Sequence, residues 1–160
     1  MNAKVSKISV PKLVFACLLS LLAGSLGSFL AKNTTQVYAT LEKPPFAPPS
    51  FIFPIVWSIL FILMGAASYL IYEKRSDASR RALTAYVIYL VLNILWPVAF
   101  FEKGAFAGAL ILLAGQLFML FVIINSYSKI DKTAAYLMIP TTLWSLFALY
   151  LNMGFLLLNS

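Results

Sequence analysis

Gly104-Ala-Phe-Ala-Gly-Ala-Leu-Ile-Leu-Leu-Ala-Gly-Gln-Leu-Phe-Met-Leu-Phe-Val-Ile-Ile-Asn125 runs for 22 residues without a charge. About 20 apolar residues in a helix cross a bilayer core of roughly 30 Å. Backbone groups in lipid must pair within the membrane, so the stretch reads as a transmembrane helix. Residues 82–101 precede it across the turn Glu102-Lys103, which is too short for anything but an antiparallel hairpin. Residues 134–158 follow it, and 11–31 and 51–72 complete a set of five spans. Of the charged residues, only Lys12 falls inside a span, one residue from its end, where its stem can snorkel to the headgroups. The expected fold is an all-α, five-helix membrane bundle, a single domain over residues 1–160. A Pro-rich loop, 32–50, forms a lid between the first two spans.

Composition agrees: 62% of the 160 residues are hydrophobic and 11% charged, against about half and a quarter in soluble domains. The net charge of +7 comes from cations that flank apolar runs and form no basic face, which argues against a nucleic-acid partner. There is no His, and the single Cys17 sits inside an apolar run. That excludes zinc sites, disulfide scaffolds and Cys/His nucleophiles, so no metal and no required cofactor are expected. No acid lies at depth, which argues against an ion pump.

By the positive-inside rule the N-terminus is cytoplasmic. Lys4, Lys7, Lys12, Lys74, Arg75, Arg80, Arg81, Lys129 and Lys132 lie on one side, against Lys32, Lys43 and Lys103 on the other. A signal peptide cut after Ser25 is the alternative for span one, but the apolar run continues to Ala31, too long for an h-region.

The spans carry aromatics and a few amides. Asn93, Trp96 and Phe100 share one face of span three, and Trp144, Ala148 and Asn152 one stripe of span five. Each is open to two readings, a pocket wall or an interhelical contact. Trp57 lies roughly 10 Å into span two, somewhat deep for an interfacial anchor. Pro54, Pro97 and Pro140 interrupt helices and release carbonyls that could shape a cavity. Gly104-x-x-x-Gly108 is either a homodimer seam or a turn residue followed by an interior packing glycine. Pro44, Pro45, Pro48 and Pro49 stiffen the loop into extended or turn conformations.

Leu41-Glu-Lys-Pro-Pro-Phe-Ala-Pro-Pro49, Phe53-Pro-Ile-Val-Trp57 and Met64-Gly-Ala-Ala-Ser-Tyr-Leu70 resemble the signature of the tryptophan-rich sensory protein family. That family includes the translocator protein, or peripheral benzodiazepine receptor. Residues 92–101 and 139–152 resemble its third- and fifth-helix motifs. The resemblance, ordered from position 38 to 152, implies a bacterial-type member, a homodimer in a bacterial cell membrane. It implies a receptor or sensor binding porphyrin-like tetrapyrroles such as protoporphyrin IX, and benzodiazepine-type ligands, under the first loop.

Carried onto matching positions, the ligand would meet Tyr38, Pro49, Trp57, Asn93, Trp96, Phe100, Trp144, Ala148 and Leu151. Phe46 supplies a stacking surface where many relatives carry Trp, as does Phe51. The cation that an animal cholesterol motif needs after an aromatic in span five is absent. The resemblance also implies an alternative, light-dependent porphyrin degradation using Trp57 or Trp144, with porphyrin as substrate. A small transporter or a scaffold is a third reading; no internal repeat supports the transporter.

Overall fold

The computed structural model describes residues 8–159, and Lys4 and Lys7 of the charge count lie outside them. Five helices are long and apolar enough to cross a membrane: α1 (Val10–Leu30), α3 (Ile52–Glu73), α4 (Asp77–Pro97, extended by a π-helical turn, Val98–Glu102), α5 (Phe106–Ser128) and α6 (Lys132–Leu158). The protein is a multi-pass integral membrane protein. Its exposed apolar residues, such as Phe15, Leu22, Phe29, Ile111 and Phe118, belong to a surface that faces lipid.

Two helices start two or more residues earlier than apolarity alone suggested, because caps and not hydropathy set their ends. Ser76 accepts from the Ser79 N–H and starts α4 at Asp77, five residues before the expected span. Asp131 accepts from the Ala134 N–H and starts α6. That same carboxylate takes Lys74 Nζ at 2.8 Å, while Lys12 meets Glu73 at 2.9 Å. These pairs tie α1, α3 and α6 together at the end away from the long loop. Burial alone would raise the Asp131 carboxyl, but Lys74 and the Ala134 and Thr133 N–H groups hold it below the ordinary carboxylate range.

The core beside that end is built from α3, α4, α5 and α6, around Met64, Ile71, Tyr86, Tyr89, Leu120, Tyr127 and Met138. Helix α1 packs across it on three glycines, one of them Gly24, which takes the Phe61 ring of α3. A Cβ on Gly65 of α3 would lie 2.5 Å from the Cys17 Cα, and one on Gly27 of α1 would lie 3.1 Å from the Ile94 Cα in α4. As it rises toward the long loop, α1 therefore leaves the α3 backbone, keeps the Phe61 ring at Gly24, and joins α4.

Three sequence expectations change here. The loop is not irregular throughout, since Thr34–Thr40 forms a short helix, α2, whose buried residue is Tyr38. Pro54 does not interrupt α3, because it occupies the first turn, where its missing N–H would have no intrahelical partner. Pro140 lies within a continuous α6. Pro97 does alter the chain: after it the hydrogen bonds run i→i−5, from Lys103 N–H to Val98 O, and the helix widens into the π turn.

Candidate ligand-binding cavity

Beneath the loop, α1, α3, α4, α5 and α6 enclose a cavity of about 710 Å³, within the usual range of roughly 300–1,000 Å³ for small-molecule sites. Among the described residues no charged side chain lines it. Its wall can stack on a ligand and hydrogen-bond to it, but holds no carboxylate or imidazole for proton transfer.

Helix α4 supplies Asn93 and Trp96, and the π turn supplies Phe100 and Phe101. Both Phe rings of the widened turn reach the cavity. Trp96 stacks on Phe100 at 5.1 Å between centroids and 28° between planes. The Phe100 ring is also met edge-on by Phe106 and Phe155. Helix α6 supplies Trp144, Ala148, Leu151 and Asn152, and α3 supplies Phe53 and Trp57. Trp144 meets Phe53 edge-on at 6.2 Å, and Trp57 lies against Phe61 at 5.6 Å.

The amides divide into distinct roles. Asn152 accepts from Trp96 Nε1 at 3.0 Å and donates to the Phe106 carbonyl at 3.0 Å, so one side chain joins α6 to α4 and α5. Gln116 of α5 donates to the Leu92 carbonyl of α4 at 3.0 Å. Among the described residues Asn93 donates only along its own helix, to the Tyr89 carbonyl at 3.2 Å. The interhelical joints in this region are thus made by Asn152 and Gln116, and Asn93 faces the cavity. The Trp144 N–H is buried with no hydrogen-bond partner among the described residues, in contrast to that of Trp96.

The roof is pinned to α6. Asn159 accepts from the Glu42 N–H and donates to the Glu42 carbonyl, both at 2.9 Å. Tyr150 donates to the Pro45 carbonyl at 2.9 Å, and Pro44 lies where a Cβ on Gly154 would be. Tyr38 lines the cavity, donates to the Pro48 carbonyl at 2.7 Å, and carries Lys43 Nζ 5.2 Å above its ring. Burial raises the Tyr38 phenol above its ordinary value, which keeps it a neutral donor.

Eight of the sequence-derived ligand positions therefore meet around one space: Tyr38, Trp57, Asn93, Trp96, Phe100, Trp144, Ala148 and Leu151. Phe46 and Pro49 do not join them. Phe46 sits on the outer turn of the loop with φ +64 and is 89% exposed, while Pro49 is exposed beside it. The chain reverses between the two Pro-Pro pairs and turns both residues outward. Gly104 is a turn residue with φ +59 and open space around it. Gly108 is not an interior packing glycine, since a Cβ there would meet only Ala105 of the same segment.

Sequence reading missed Gln116, Phe53, Phe101 and the α1 wall (Leu21, Gly24). Gln116 carried a usable signal as an amide midway along an otherwise apolar span. The α1 residues carried none.

Comparison with known proteins matches the TspO/MBR family over residues 15–158. The chain is 32% identical to the tryptophan-rich protein TspO of Archaeoglobus fulgidus over 155 residues, covering 96% of this chain and all of that protein. It is 34% identical to the translocator protein of Bos taurus over 138 residues, covering 80% of each. With the tryptophan-rich sensory protein of Cereibacter sphaeroides it shares 30% over 122 residues, 76% of each.

Proposed function

The chain belongs to the TspO/MBR family, and from that premise we propose that it is a membrane receptor whose cavity takes flat, aromatic, amphipathic ligands of the tetrapyrrole class. Protoporphyrin IX is the first probe, and benzodiazepine-type compounds would use the same space. The observation that carries this reading is the gathering of all three Trp of the chain around one uncharged cavity of about 710 Å³. Offset and edge-on aromatic contacts favour a planar π-system, each by about 0.5–1.5 kcal/mol beyond its burial. Asn93 adds a polar handle, and Lys43 over Tyr38 offers a cation at the roof for a ligand carboxylate.

Titration of the purified protein with protoporphyrin IX in the dark, followed by porphyrin absorption, tests the reading. Saturable micromolar binding is expected, weakened at least tenfold by Ala148→Phe, which fills the cavity from α6. Equal uptake by both proteins, or none that saturates, would leave partitioning into detergent as the explanation and favour a scaffold. Repeating the titration under illumination with oxygen separates receptor from enzyme. Loss of porphyrin that depends on Trp57 or Trp144, both on the wall, would mark the light-dependent degradation alternative.

The same proposal takes the N-terminal end as cytoplasmic in a bacterial cell membrane. It is supported by Lys74, Arg75 and Lys129 in the two connections at that end, and by Arg80, Arg81 and Lys132 at the starts of α4 and α6. A homodimer would use the face of α5 bearing Gly108, which the bundle leaves open. Gly108→Leu should then convert a dimer to a monomer in light scattering, and an unchanged mass would remove this seam.

A further inference from the structure

Several residues on the cavity wall are also exposed on the outside of the bundle, and such residues mark its mouth. They are Ser25 and Ser28 on α1, Phe51, Pro54 and Ser58 on α3, and Thr35 on α2. The gap between α1 and α3 follows from the glycine crossings at Gly65, Gly24 and Gly27. At Gly65 the backbones of α1 and α3 touch, and Cys17 Sγ lies 3.5 Å from the Ile62 carbonyl. Ten residues further along, α1 has moved onto α4 at Gly27. The seam is a wedge, closed by backbone at the Cys17 level and by the Phe61 ring at Gly24, and open from there to the loop. Ser25 and Ser58 lie five and six residues from the loop ends of their helices, so the opening reaches roughly 8–9 Å down those helices. On the opposite side the roof is fastened by Asn159 and Tyr150.

Resting on the receptor reading above, we propose that ligands reach the cavity sideways, from the hydrocarbon of the loop-side leaflet through the α1–α3 wedge, and not through the roof from water. The ligand class follows: flat molecules lipophilic enough to concentrate in the bilayer, with polar groups at one edge. The apolar plane would pass over the Phe61 ring, which packs on Gly24 and floors the opening, while the polar edge trails along the Ser25, Ser28 and Thr35 hydroxyls toward the headgroups. Ser58 lends no hydroxyl proton to this path, because it donates to the Pro54 carbonyl at 2.7 Å. Its place is at the narrow lower lip.

The test is stopped-flow binding of protoporphyrin IX to protein in phosphatidylcholine vesicles, with three variants. Ser58→Phe, which obstructs the lip, should slow association and dissociation together by fivefold or more. Phe51→Ala, at a site 61% exposed and so tolerant of truncation, should speed both. In each, the ratio of the rates should change less than either rate. Asn159→Ala, which unfastens the roof, should leave both rates as they are. The proposal is overturned if the mouth variants keep wild-type rates while binding saturates, or if only Asn159→Ala changes them. Should Ser58→Phe fail to fold, Phe51→Ala decides alone. Absence of saturable binding by the unaltered protein would refute the receptor reading instead, which keeps the two failures distinct.

Discussion

At the residue scale, the two indoles on facing walls differ in what holds them. Trp96 gives its N–H to Asn152, whose own amide reaches the Phe106 carbonyl, so one hydrogen-bonded chain crosses three helices. Trp144 is held by ring contacts alone. Trp96→Phe would strip the Asn152 oxygen of its partner inside the bundle, a loss of about 1–3 kcal/mol. Trp144→Phe breaks no hydrogen bond and removes one unpaired donor. Thermal unfolding in detergent should therefore show a clear drop in Tm for Trp96→Phe and little for Trp144→Phe. Equal drops would mean that ring packing, not the hydrogen bond, sets the cost. The stripe Asn93–Trp96–Phe100 was legible from helical spacing. Which amide joins helices was not, because spacing gives the face of a residue and not the distance to its neighbour.

At the scale of elements, helix ends carry the pH response. Asp131 caps α6 and pairs with Lys74 of α3, and its carboxyl is held below the ordinary range. A carboxylate with a depressed folded-state pKa contributes stability above its unfolded value, about 3.9, and loses it as pH falls through the folded value. The unaltered protein should thus lose Tm in that acid window, and Asp131→Ala should respond less there. At pH 7 the variant should be less stable by about 1 kcal/mol, the typical worth of an N-cap. The Lys74 share of that difference should shrink in high salt, while the cap share persists. A variant with an unchanged acid response would place the titration elsewhere. The π turn after Pro97 belongs to this scale too. The proline announced a disturbance, but that the chain answers it with a widened turn carrying Phe100 and Phe101 depends on what packs against them.

At the scale of the whole molecule, five apolar runs, their order and their alternating direction were determined by the sequence alone. The cost of burying unpaired backbone in lipid leaves a 20-residue apolar segment little choice but a helix, and short connections make successive helices antiparallel. The aromatic and amide stripes that became the cavity wall were readable for the same reason, since helical periodicity is local. The tertiary structure alone decided that Phe46 and Pro49 turn outward, that α2 forms within the loop, that the roof is fastened to α6, and that α1 crosses from α3 to α4. Each of these depends on contacts between residues far apart in sequence: Glu42 with Asn159, Cys17 with Gly65, Gly27 with Ile94. Helix α1 shows the limit most plainly. Past Lys12 its residues are apolar or small all round, so no stripe marks the side that packs, and the close approaches at Gly65, Gly24 and Gly27 fix its path along the cavity.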